Sequence, residues 1–325
     1  LVLTAVASFA LLAGTASAQV IVGQVAPATP TESFCSGSWD EFQLGVSSGA
    51  SYTIPAPGGV LTSWSTNAGP GAGQILTMKV FRPVGAGTFS VVAHDGPRPL
   101  LPSALNTFPL STPIAVLPGD IVGIHLLTGS GETACIFDTT STLDVAGWHE
   151  GDVLDGGVFP VEETGTEFRY NVSATLLPPP VVTGIGSAGG SIKGGTPLVI
   201  SGANFATVKA VSFGTTPAAF AVNSEGQITA TSPASKTLSK VPLTVTTVAG
   251  TATSATTFAY EGCKVPNLAG KKLKASKKKL KKADCKVGKV KKTGDVTAKT
   301  GKVVKQNPKA GKILAPGTKV GIKLG

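Results

Sequence analysis

Short runs of alternating apolar and polar residues, cut every few positions by glycine and proline, dominate this sequence. "ILTMKVF", "FSVVAH", "DIVGIHL" and "FRYNVSATL" are such runs, and "GPGAG", "PVGAG", "LPGD" and "GSGE" are the turns around them. A period of two puts every second side chain on one face of an extended strand. With 41 glycines and 23 prolines, the chain reads as many short strands joined by tight turns. Enough aliphatic side chain is present to fill real cores, so the fold class is mainly β and multidomain.

Two joints divide the chain. "LLPPPVV" at 176 to 182 is a stiff proline-rich connection, and composition changes abruptly at Glu261-Gly262. The resulting bodies are 19–177, 178–261 and 262–325. Strand-turn spacing across the first predicts a β-sandwich of jelly-roll type. Ahead of it, "LVLTAVASFALLAGTASAQ" ends in Ala16-Ser17-Ala18, the pattern of a signal peptide over 1–18 cleaved before Gln19. The chain is expected to begin inside that peptide, since no initiator Met or basic segment precedes it. The run is shorter than the ~20 apolar residues of a spanning helix, so no transmembrane segment is expected after cleavage.

Charge and cysteine follow the same division. From residue 262 onward there are twenty lysines and two aspartates, a balance of +18, while the remainder carries −8. The four cysteines fit an oxidising compartment. They allow three connectivities, and the domain boundaries favour Cys35 with Cys135 and Cys263 with Cys285. Neither pair has zinc-ligand spacing or a histidine close by in sequence, which argues against a zinc site there.

The second body alternates at Leu198 and Ile200, Val211 and Phe213, Phe220 and Val222, Leu243 and Val245, and Phe258 and Tyr260. Its "GGSIKGGTPLVISGANF", "VSFG", "ITATSP" and terminal "FAY" resemble, in order, the immunoglobulin-like IPT/TIG family. That resemblance implies a spacer or adhesive unit on an exported bacterial protein, without catalytic residues.

The third body contains "KKLKASKKKLKKADCKVGKVKK", residues 271 to 292. Leu273, Ser276, Leu280 and Ala283 are spaced to share one helical face, which leaves most lysines on the others. The flanking "VPNLAG", "QNPKAG" and "PGTKV" complete a segment that resembles a PASTA module: a V-P turn, a helix, then strands around two further turns. The resemblance implies association with peptidoglycan or muropeptides. Cys285 stands where that family usually has an aliphatic residue, and a bridge to Cys263 would close the helix onto the first strand, worth about 3 kcal/mol. One module stands alone here, with a lysine load unusual for the family.

Lys271, Lys274, Lys278, Lys281, Lys282, Lys289, Lys291 and Lys292 are the candidate wall-binding residues. The module has no Arg, His, Phe, Trp or Tyr, so it lacks the guanidinium forks and stacking platforms of nucleic-acid readers. Anionic wall polymers are the expected partners, and nucleic acid is not. Trp39, Trp64 and Trp148, all in the first body, are candidates for a glycan-binding face, with Trp148 in a polar, loop-like stretch the first choice. The acidic residues Asp138, Asp144, Glu150, Asp152, Asp155, Glu162, Glu163 and Glu167 are of the type calcium takes, but without EF-hand or repeat spacing. No cofactor is expected.

Two formal enzyme motifs lack their structural context. "GVSSG" at 45 to 49 has no buried strand leading into it and no helix after it. "GIGSAG" at 184 to 189 lies in a loop followed by another strand. The histidines, His94, His125 and His149, show no nucleophile or ligand partner in sequence. The expected protein is a secreted, non-catalytic, wall-associated binding protein whose sandwich presents a glycan- or protein-binding face. The alternative is a secreted hydrolase with its site in the sandwich, distinguished by a clustered histidine–carboxylate pocket.

Overall fold

A computed structural model describes residues 19–27, 35, 37–127 and 133–325. The expected signal peptide over 1–18 lies outside the described residues. Those residues form two compact units, one of 19–179 with 248–250 and one of 180–247 with 251–325. Strands make up nearly all regular structure, and α-helix among the described residues is confined to Leu273–Lys282. No helix among them is long and apolar enough to cross a membrane.

The first unit is built on a four-stranded and a seven-stranded sheet. The smaller runs Val20–Gln24, Val172–Leu177, Gly59–Asn67, Leu105–Val116 in spatial order. The larger runs Val158–Pro160, Thr88–Pro99, Ile75–Gly85, Ile121–Leu126, Trp39–Gly45, Val145–Glu150, Glu163–Thr166. Both are antiparallel throughout. One apolar core joins them, with Val22, Leu61, Trp64 and Val172 from the first and Met78, Val80, Val122 and Ile124 from the second. Cys35 is bonded to Cys135.

Register decides what else the larger sheet carries. Asp40 opposes His125, His125 opposes Thr77, and Lys79 opposes both Gly123 and His94. Opposed residues share a face. Asp40, Phe42, Thr77, Lys79, Phe81, His94 and His125 therefore lie on one side, and Glu41, Gln43, Met78, Val80 and Ile124 on the other. The Asp40 side also holds an aromatic cluster, with the Phe42 ring 4.8 Å from Phe81 and 4.6 Å from Phe89.

In the second unit, Leu198, Ile200, Val211, Phe213, Ile228, Leu243, Val245, Phe258 and Tyr260 form the core of 180–261. Phe220 packs beside that core, half-buried, and Val222 is the exception. Ala219–Ser224 is an edge strand, paired on one side only, and Val222 is 41% exposed. At the next joint, a Cβ on Gly262 would lie 2.7 Å from the Leu314 carbonyl oxygen and 2.9 Å from Leu238 Cδ2. Only glycine fits there.

The last segment packs its helix on a three-stranded sheet of Lys286–Lys292, Lys319–Leu324 and Val303–Asn307, with Lys319–Leu324 central. The central strand runs parallel to the first and antiparallel to the third. Leu280 and Ser276 are buried on the helix, against a core that includes Val265, Leu268, Val320, Ile322 and Leu324. Leu273 and Ala283 are half-buried beside them. The helix lysines point outward, and Lys279, Lys281 and Lys282 sit at the C-terminal turn, where positive charge complements the helix dipole. Cys263 is bonded to Cys285.

Candidate functional site

The lysine-rich segment places its charge on two surfaces. Lys271, Lys274, Lys278, Lys281 and Lys282 are exposed along and around the helix. Lys281 borders a hollow with Glu261 and Asp284, so part of its charge faces carboxylates. Lys289, Lys291 and Lys292 lie on or beside the sheet instead. There Lys291 directly opposes Lys323, and Lys323 directly opposes Lys305. Adjacent strands are about 4.8 Å apart, so three exposed lysines leave the sheet side by side. Like charges in direct opposition destabilise a sheet.

Lys289, Lys291, Lys305 and Lys323 border an open trough of about 410 Å³, with Gly321 in its lining and Asn307 and Gln306 beside it. No carboxylate among the described residues lines it. The trough thus joins Lys289 and Lys291, expected from the sequence, to Lys305 and Lys323, which were not. Lys292 opposes Leu324 in the register and is not part of the trough.

The sandwich holds a buried ionic cluster. Asp40 is fully buried, and its Oδ1 accepts hydrogen bonds from Lys79 Nζ at 2.7 Å and His125 Nδ1 at 2.8 Å. Its Oδ2 accepts from the Val153 amide at 3.0 Å. Lys79, itself 2% exposed, also donates to Asp152 Oδ1 at 2.6 Å and to the Val153 carbonyl at 2.8 Å. An ammonium has three protons, and all three are engaged. Burial would raise the Asp152 pKa, but the Lys79 hydrogen bond and the charges of His125 and Lys79 hold it below the usual carboxylate value.

The histidines do have partners, contrary to the sequence reading. His94 Nδ1 lies 2.8 Å from Asp155 Oδ1, His125 Nε2 lies 3.8 Å from Asp152 Oδ2, and His149 Nδ1 lies 3.1 Å from Glu162 Oε1. The three carboxylates come from one short segment, 152–162, which meets His94 and His125 on strands distant in sequence and His149 on the strand just before it. Thr77, Lys79, His94, His125 and Asp152 line a cleft of about 100 Å³. His125 Nε2 is buried there without a hydrogen-bond partner among the described residues.

Trp64 must leave the glycan-facing set. Its side chain is fully buried, donates Nε1 to Asp95 Oδ2 at 2.7 Å, and packs on Phe108 at 4.6 Å. Trp148 lies in strand Val145–Glu150 rather than in a loop, half-buried with its ring 6.4 Å from Phe168. Trp39 is half-buried two residues from Glu41, which opposes Trp148, so Trp39 and Trp148 share a face. Of the acidic residues weighed as calcium ligands and read as a solvated loop, four have basic partners instead: Asp144 pairs with Arg169, Asp152 with Lys79, Asp155 with His94 and Glu162 with His149.

Glu41, on the core side of the same strand as Asp40, has its carboxyl pushed up to about 8 by burial and by the neighbouring Asp40 charge. Among the described residues its Oε2 has no hydrogen-bond partner. It lies beside Cys35 and Cys135, whose sulfurs are bonded to each other and not available as ligands.

Residues 180–260 match the family model of the IPT/TIG domain, and residues 264–325 match that of the PASTA domain. The chain carries a TIG domain followed by a PASTA domain. No curated protein matches it. Among solved structures it is similar to an auxiliary nutrient binding protein from Bacteroides thetaiotaomicron, at 17% identity and TM-score 0.22, over 28% of this chain and 24% of that one. It is also similar to SGBP-B from a complex xyloglucan utilization locus in Bacteroides uniformis, at 19% identity and TM-score 0.24, over 37% and 34%. The Plexin A4 extracellular region is similar at 17% identity and TM-score 0.26, over 64% and 17%. This chain spans only about a third or less of each of these structures. At TM-scores this low no common overall fold is established, and no function is taken from them.

In the PASTA domain, the missed Lys323 had a visible signal: "GIKLG" alternates and its lysine takes the solvent side, whereas Lys305 follows an exposed Val304 in "VVKQ", which does not alternate. In the sandwich the signal was a polar residue inside an otherwise apolar run for Lys79 in "ILTMKVF" and His125 in "GIHLL", while Asp40 in "SWDEF" is followed by a second carboxylate and stood out less. A buried charge needs a partner, and these three partner one another.

Proposed function

We propose that this chain is a non-catalytic extracellular binding protein whose PASTA domain associates with peptidoglycan or other anionic cell-wall polymers. The observation that carries the reading is the register of Lys291, Lys323 and Lys305 across the PASTA sheet. Three like charges held side by side cost stability, and an anionic strand laid across them would relieve that repulsion. The disulfides and the PASTA domain support an extracellular setting. In this reading the TIG domain is a spacer and the sandwich is the part that meets a glycan or protein ligand, without Trp39 and Trp148 as an open platform, since both lie half-buried against the core.

The test is sedimentation of the full chain with purified cell walls across a salt series, beside free muropeptides. Binding lost at moderate salt, without muropeptide competition, supports adhesion to wall polyanions. Salt-resistant binding displaced by muropeptides supports peptidoglycan recognition. No binding at low salt removes the wall from the reading.

A second reading, a hydrolase sited in the sandwich, is favoured by the Asp40–His125 pair. Asp40 fixes Nδ1 and leaves Nε2 toward a cleft, as a general base requires. Against it, the cleft holds about 100 Å³, below the roughly 300–1,000 Å³ of small-molecule sites. Hydrolysis of ester or glycoside substrates that disappears in His125→Gln, while the variant keeps its fold, would establish this second reading.

A further inference from the structure

Glu41 and the Cys35–Cys135 bridge meet in the sandwich in a way that rests on neither reading of function. A carboxyl oxygen of Glu41 and the two sulfurs lie within 4.8 Å of one another. Cys135 is fully buried and Glu41 is 8% exposed, while Cys35 is only half-buried. Burying a carboxyl without a partner is costly, and among the described residues Glu41 Oε2 has no hydrogen-bond partner. The second bridge, Cys263–Cys285, joins no such group among the described residues.

We propose that Cys35–Cys135 is an exchange-active disulfide, opened by a small dithiol at Cys35, with the Glu41 carboxyl as proton donor to Cys135.

The step balances in atoms and electrons. A thiolate of the dithiol attacks Cys35 Sγ and bonds to it, and the Cys35–Cys135 bond breaks. The electron pair of that bond goes to Cys135 Sγ, which takes the Glu41 proton and becomes a neutral thiol. The second thiol of the reductant then attacks the mixed disulfide, and its proton goes to the Cys35 sulfur it frees. The dithiol is oxidised to its own disulfide, and the bridge is reduced to two thiols. Solvent returns to Glu41 the proton that the first thiol released on ionising.

Exchange depends on access to the attacked sulfur and on how well the leaving sulfur carries its charge. A thiolate left at Cys135 would sit in apolar surroundings, where burial raises a thiol above its ordinary value of about 8.5. Burial and the Asp40 charge put Glu41 at about 8. The proton therefore passes downhill to sulfur, from an acid poised near working pH. Besides the two sulfurs, the titratable groups that act on or face Glu41 are Asp40, on its own strand, and Tyr170, on Phe168–Tyr170. Neither is basic, and Tyr170 keeps its proton, because burial and the Glu41 charge push its hydroxyl well above the ordinary value. Ile124 and Trp148 oppose Glu41 in register.

The backbone holds the opened form in place. Cys35 and Thr133 exchange hydrogen bonds at 3.0 and 3.4 Å, and the Asn171 amide donates to the Cys135 carbonyl at 2.7 Å. Both thiols stay where they can reclose.

The test is the rate at which dithiothreitol opens each bridge of the folded full chain, read by alkylation and peptide mapping across a pH series. Rates are divided by the thiolate fraction of the reductant. The wild-type rate at Cys35–Cys135 should be level up to about pH 8 and fall above it, as Glu41 loses its proton. Glu41→Gln should open that bridge roughly tenfold more slowly at about pH 7, without the later fall. Cys263–Cys285 should open alike in both proteins. An effect of stability alone has the opposite sign, because the wild-type sandwich weakens as pH rises and would open faster. A wild-type rate that climbs through pH 8, or one that Glu41→Gln leaves unchanged, overturns the proposal. So does a bridge that dithiothreitol opens only when the chain unfolds.

Discussion

Lys79 and Asp40 sit on strands that do not adjoin, separated by Ile121–Leu126, and their charges meet at 2.7 Å with almost no exposure to solvent. Breaking a buried pair from one side leaves a bare charge, at a cost of about 3–5 kcal/mol. Lys79→Met should therefore destabilise the sandwich by that amount, measured by denaturant unfolding. Asp40→Asn with Lys79→Met should recover part of the loss, because no full charge is then stranded. A loss under 1 kcal/mol in the single variant would mean the pair is not closed to water.

Glu41 gives the sandwich a pH dependence of definite sign. Its folded pKa, about 8, lies above the ordinary value of 4.5, with burial the main cause and Asp40 the second. Between those values the folded state keeps a proton that the unfolded chain has released. Stability from this group is therefore fully present below about pH 4.5 and is lost as pH rises toward 8. Glu41→Gln should be more stable than the parent at pH 8, on the order of a few kcal/mol, and show little difference at pH 4. Parallel pH–stability curves for the two proteins would show that Glu41 is solvated in the folded state.

The PASTA core is small, and the Cys263–Cys285 bridge closes a loop of 22 residues around its helix. Replacing both cysteines by serine should cost about 3 kcal/mol in that domain. Hydrogen exchange should then quicken in 263–325 and stay unchanged in 37–127.

Removing charge from the lysine row should separate stability from binding. The triple variant Lys291→Gln, Lys305→Gln, Lys323→Gln relieves two opposed pairs, each worth about 0.2–1 kcal/mol. It should melt higher than the parent at low salt while its wall sedimentation falls and becomes less salt-sensitive. Glutamines placed instead at Lys274 and Lys278, on the helix, should weaken sedimentation less. Equal losses from the two sets would assign binding to total charge rather than to the sheet face.

How far the chain is legible differs between its parts. The helix stripe was readable because Ser276 and Leu280 differ from the lysines around them, and a period of 3.6 needs no tertiary information. The TIG core was readable from alternation, except at Val222, where an edge position left a side chain exposed that the pattern alone would bury. Trp148 looked like a loop residue because its neighbours are polar and glycine-rich, yet pairing with Trp39–Gly45 draws it into a strand. Trp64 gave no local sign that a second sheet covers it.

Period-two alternation, glycine and proline punctuation, the cysteine grouping and the lysine run by themselves determined a β chain with two bridges and a basic last module. Each of these is local, set by backbone sterics and the solubility of side chains within a few residues. Tertiary structure alone decided that Asp40, Lys79, His125 and Asp152 meet, and that Lys291, Lys323 and Lys305 stand in a row. Both depend on strand register between segments distant in sequence, and a slip of one residue would turn every one of those side chains to the opposite face.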